Sequence, residues 1–124
     1  MKTRWTKWLG AISLSLILGA IAAPAAQALT ATAFVVNQTC INGDTVQVNF
    51  SATVQPNQQG VKYRWDFNND GVWDTAASTD PKASRRYTDE VRRTARVRAV
   101  NANGVVAFDR VTFTTRRCGG GGGD

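Results

Sequence analysis

Three observations in the 124-residue sequence predict an all-β protein, an antiparallel β-sandwich of six to seven strands behind a cleaved signal peptide. From Thr45 to Gln55 apolar and polar residues alternate without a break. Between Tyr63 and Phe67 three large aromatics fall at alternate positions. Further short segments of strand-forming residues recur at near-regular spacing between turn residues, with no helical period outside the leader.

The leader is read from charge order. Lys2, Arg4 and Lys7 precede an apolar run from Leu9 to Ala23, and Ala26-Gln27-Ala28 supplies small residues around a cleavage point. Charged, apolar and small segments in that order predict a signal peptide over residues 1–28. The apolar run, at about 15 residues, is shorter than the roughly 20 that span a bilayer. The expected mature chain begins at Leu29, is secreted or held in the periplasm or cell envelope, and has no membrane span. Without the leader, twelve basic residues face nine acidic ones, a net charge of +3. Such mild basicity in an exported chain predicts no nucleic-acid partner.

Length allows one domain, residues 29–118, with residues 119–124 as a Gly-rich flexible tail. Cys40 and Cys118 are the two cysteines. An even count in an oxidising compartment predicts a disulfide, and the closed loop would contribute on the order of 4 kcal/mol. If the first and last strands run parallel as neighbours, both cysteines reach one pole.

Thr30 to Asn37 is short and β-branched, so a first strand is expected there. Asn42-Gly43-Asp44 is a turn. In the strand Thr45–Gln55, Val46, Val48, Phe50, Ala52 and Val54 should face inward. After a loop at Pro56–Gly60, Val61 to Phe67 carries Tyr63, Trp65 and Phe67 into the core. Asn68 to Gly71 holds residues that tolerate positive φ and predicts a tight reversal into a short return strand, Val72–Thr75. Ser84–Thr88, Arg92–Asn101 and Val105–Thr115 complete the set, with Ala95, Val97, Ala99, Val111 and Phe113 inward. Asn101 to Gly104 marks the last hairpin. Val48, Phe50, Trp65, Val97 and Phe113 are the predicted inaccessible core.

Tyr63-x-Trp65-x-Phe67 followed by an Asn/Asp/Gly turn resembles the aromatic core of the PKD (polycystic kidney disease) domain family. Tyr87 matches a tyrosine before that family's penultimate strand, and the similarity runs from about Thr45 to Thr115. Departures are the longer turn Asn68-Asn69-Asp70-Gly71, Arg85 for a histidine, Glu90-Val91 for Pro-Gly, and Arg93 for an aromatic. The resemblance implies an Ig-like β-sandwich acting as a binding or spacer module.

Three constellations could carry chemistry. Asp66, Asn68, Asp70 and Asp74 stand at positions 1, 3, 5 and 9 of an EF-hand-like loop with Gly71 at position 6. The twelfth position is Ala77 rather than the bidentate glutamate, and no flanking helices are readable. Calcium is therefore the one cofactor candidate, set against an Asx-rich turn whose carboxylates hold backbone amides. In that second case Asp66 should point along the sheet face towards Arg64 or a neighbouring arginine.

Pleating also puts Lys62, Arg64, Arg96, Arg98 and Arg110 on one outward face if their strands share a sheet. That row fits an anionic polysaccharide or an acidic protein surface. It equally fits a solvated face partly paired with Asp66 and Asp109. Trp73 either covers the end of the core or offers an indole for stacking.

Catalysis is not expected. The chain has no histidine, the cysteines are expected to be bonded, and 96 residues leave little material for a cleft around a carboxylate pair. The expected role is an exported, non-catalytic binding or interaction module. A structural spacer or assembly subunit, calcium-rigidified in one version, is the alternative; a small secreted enzyme or enzyme inhibitor stands behind both.

Overall fold

The computed structural model describes residues 28–119; the leader before Ala28 and the tail from Gly120 lie outside the described residues. Six strands form two three-stranded sheets that enclose one core. They are β1 (Thr30–Cys40), β2 (Thr45–Gln55), β3 (Lys62–Asp66), β4 (Ala83–Thr88), β5 (Arg92–Val100) and β6 (Val106–Thr114). The orders are β1-β2-β4 and β3-β5-β6, every pair antiparallel.

The strand with the strictest alternation forms with the expected bounds, and its five inward residues are all buried. Opposite it, Tyr63, Trp65, Ala95, Val97 and Ala99 close the core from the second sheet. Phe50 is the hub, with the rings of Trp65 at 5.4 Å, Phe67 at 5.8 Å and Phe113 at 5.3 Å. Aromatics of this size dominate the apolar area a small domain can bury. Four of the five predicted core residues are nearly inaccessible. Phe113 is only half-buried, because β6 is an edge strand and its ring packs on the core from the side.

The predicted return strand at Val72–Thr75 does not form. Its side chains occupy the edge of β3 instead: Trp65 N donates to Thr75 Oγ1 at 2.9 Å and Phe67 N to Asp74 Oδ2 at 2.8 Å. Asp74 N donates to Trp65 O at 2.8 Å, and an isolated bridge joins Tyr63 to Ser78. A segment that satisfies its neighbour's amides with side-chain oxygens has no continuous backbone ladder to build.

A bulge at Val36 shifts the β1 register between Val35 and Asn37. One extra residue reverses which face each later side chain takes, and Gln38 turns towards β6. There Gln38 Nε2 donates to Thr114 O at 3.1 Å, and Arg116 N donates to Gln38 Oε1 at 2.7 Å. Earlier along the same border Ala33 N donates to Asp109 Oδ2 at 2.7 Å. Contacts that ascend together in both strands mean that β1 and β6 run in the same direction. Their ends meet at one pole, where Cys40 and Cys118 are disulfide-bonded with Cα atoms 5.5 Å apart.

Two interactions at this pole were not foreseen. Thr115 is buried, its hydroxyl accepting from Val91 N at 2.8 Å and donating to Thr88 O at 2.8 Å. Gly119, expected to begin the tail, is tied down: its N–H donates to Gly43 O at 2.7 Å, and a Cβ there would run into the Gly43 carbonyl.

Candidate functional site

The Asp66–Asp74 turn shapes the surface on both its sides. Asp66 ends β3 with an outward parity, yet it is 1% exposed. Its carboxylate folds back into the turn, Oδ1 accepting from Asp70 N at 3.2 Å and Oδ2 from Gly71 N at 2.9 Å. Asp70 Oδ1 in turn accepts from Val72 N at 2.9 Å. That bond, chiefly, holds the Asp70 carboxyl below the usual carboxylate range. Asn69 at φ 53° and Gly71 at φ 87° supply the left-handed backbone that aims these amides inward.

The expectation that Asp66 faces an arginine is thus corrected. The amides of Asp70 and Gly71 hold both its oxygens within the turn, away from the neighbouring guanidinium. Of the calcium candidates, Asp66, Asp70 and Asp74 each spend oxygens on backbone N–H groups. Among the described residues no three Asp, Glu, Cys or His side chains cluster as a metal site.

The second constellation is assembled by the sheet β3-β5-β6. Register places Arg64 opposite Arg98, Asp66 opposite Arg96, and Lys62 opposite Val100. Across the next ladder Arg96 lies opposite Arg110 and Arg98 opposite Phe108. All the outward parities agree, so Lys62, Arg64, Arg96, Arg98 and Arg110 share the face turned away from the core.

Trp73 belongs to this face and does not cover the end of the core. Its ring stacks within 11° of parallel to Phe108, centroids 6.3 Å apart. The Arg96 guanidinium packs on both, 4.3 Å from the Phe108 centroid and 5.3 Å from that of Trp73. Stacking takes the place of hydrogen bonding at Nε, since Arg96 Nε is inaccessible and without a partner among the described residues. Around this centre Arg110 Nε donates to Asn69 Oδ1 at 3.0 Å and Arg64 Nε to Thr75 O at 3.1 Å.

Carboxylates do not neutralise the row. Asp66 is held by the turn, and Asp109 has the opposite parity and is held by Ala33 N. Among the described residues the ion pair present is Arg117 with Glu90 at 3.8 Å, which involves none of the face. Phe108 is the surface residue that sequence reasoning missed. The signal was available: Ala107 points inward, so Phe108 shares its parity with Arg110.

No family model matches the chain, and neither a curated protein nor a solved structure does. Among the described residues no helix is long and apolar enough to cross a membrane.

Proposed function

We propose that this chain is an exported, non-catalytic binding module of PKD-like type, and that the outer face of β3-β5-β6 receives an anionic polysaccharide. The observation that carries the reading is Arg96, packed on Trp73 and Phe108 amid Arg64, Arg98 and Arg110 with no carboxylate partner. A guanidinium already ordered by aromatic rings loses less side-chain entropy on meeting a carboxylate or sulfate. Phe108, 48% exposed, adds an apolar ring that a sugar can cover. The disulfide supports an oxidising, extracytoplasmic location. In this reading the Asx-rich turn positions Trp73 and Asn69 against the arginines rather than holding calcium.

Trp73 gives the test its signal. Heparin and polygalacturonate should change tryptophan fluorescence saturably, with affinity falling as salt rises. Arg98→Gln and Phe108→Ala should each weaken the response, and neutral dextran should give none. Equal responses to dextran, or to polyglutamate and the glycans alike, would overturn the reading.

A further inference from the structure

A second basic site lies where the two sheets part. β3 ends at Asp66, opposite Arg96, while β5 continues to Arg92, so the first residues of β5 have no strand beside them on that side. Across the gap stands β4, the edge of the other sheet. The opening is a cleft of about 270 Å³ lined by Phe67, Asn68, Arg85, Arg86, Tyr87 and Arg93 among others. Arg85 and Arg86 also line an adjoining hollow of about 360 Å³ with Gln47 and Ser84, which extends the basic groove along β4.

The arginines are ordered by the walls. Arg85 Cζ sits 5.8 Å from the Phe67 ring centroid and Arg93 Cζ 6.0 Å from that of Tyr87. Arg93 Nε is inaccessible and has no hydrogen-bond partner among the described residues. The phenol is committed elsewhere, donating to Phe67 O at 2.7 Å, and burial pushes its pKa well up despite Arg85 and Arg93. The neighbouring carboxylates, Asp66 and Asp74, are occupied by the amides of Asp70, Gly71 and Phe67. Three cations from both sheets therefore converge on a half-enclosed space with no acidic partner among the described residues.

We propose that this cleft binds a single oxyanion group, a carboxylate, sulfate or phosphate, between Arg85 and Arg93. Arg86 supplies charge at the rim, and the Phe67 and Tyr87 rings lower the local dielectric so that each charge-assisted bond strengthens. The volume admits an oxyanion together with a small group that bears it. The site stands apart from the flat face proposed above, since it shares none of that face's arginines.

Nitrogen-15 NMR of the arginine Nε–H groups tests it directly, with inorganic phosphate, sulfate and glucuronate as probes and sodium chloride at matched ionic strength as the control. The Arg93 and Arg85 signals should shift saturably with at least one probe and not with chloride. Arg93→Gln should weaken binding about tenfold, the loss of one charge-assisted contact. Should that variant unfold, Arg85→Gln, whose side chain is exposed, carries the same expectation. Arg98→Gln on the flat face should leave the titration unchanged, so the two sites can fail separately. Saturation by glucuronate assigns the cleft to sugar-borne carboxylates, and saturation by phosphate or sulfate alone assigns it to tetrahedral oxyanions. Linear shifts, shifts reproduced by chloride, or an unchanged titration in the Arg93 variant would overturn the proposal.

Discussion

Truncating Asp66 separates a turn held by its own carboxylate from one organised around a metal. The side chain is 1% exposed and accepts two backbone N–H bonds, from Asp70 at 3.2 Å and Gly71 at 2.9 Å. Hydrogen bonds to charged groups contribute about 1.5–3 kcal/mol each. Asp70 and Gly71 are exposed, so water reaches their amides once the carboxylate is gone, and the lower end of that range applies. Asp66→Ala should therefore cost roughly 3 kcal/mol, which for a domain of this size lowers Tm by about 12–24 °C. Asp66→Asn should recover little, because an amide NH2 then confronts one of the two N–H groups. Urea denaturation followed by tryptophan fluorescence measures both, and the parent protein should give superimposable curves in calcium and in chelator. An Asp66→Ala unfolding free energy within about 0.5 kcal/mol of the parent, or a calcium-dependent gain that this variant abolishes, would refute the reasoning.

Trp65→Ala should cost roughly 3–5 kcal/mol in the same assay, since a 2% exposed indole beside Phe50 leaves a cavity that the β-sheet cannot collapse to fill. The double variant Cys40→Ser/Cys118→Ser should lose roughly 4 kcal/mol through the freed loop of 78 positions, with a native-like near-ultraviolet spectrum below its lower midpoint. The Asp70 carboxyl is depressed in the folded state, so its contribution is complete above the unfolded value of about 4 and is lost as pH falls through the folded one. Between pH 5 and pH 2 the stability of the parent should accordingly fall more steeply than that of Asp70→Asn, and parallel curves would contradict this. Glu90 holds φ 53°, so Glu90→Gly should gain up to about 1 kcal/mol by relieving a left-handed backbone.

What the sequence made legible was whatever alternation alone decides. The bounds of β2, the inward set on β5 and the aromatics of β3 follow from a period of two. That same period put the five basic residues on one face, because parity survives any error in strand ends. Bonds made by side chains to backbone were not legible. Asp66, Thr75 and Asp74 look like strand or turn residues in sequence, and only folding shows which amides they reach. The Val36 bulge is equally silent, since an extra residue in an edge strand changes no local composition. Trp73 stayed open between the end of the core and the surface for a related reason. Without a strand at Val72–Thr75, its parity could not be counted from β3.

The turn explains why the molecule presents two basic regions rather than one. By ending β3 at Asp66 it uncovers the start of β5, and the inward-facing Arg93 is paired only on its β6 side and borders the cleft on the other. By looping back over the outer face it delivers Trp73 to Arg96 and Asn69 to Arg110. Both consequences depend on the pair of amides that the Asp66 carboxylate holds. A shorter turn could still connect the same strands. If it stopped short of Trp73, Phe108 and Arg96 would lose the indole that packs on both.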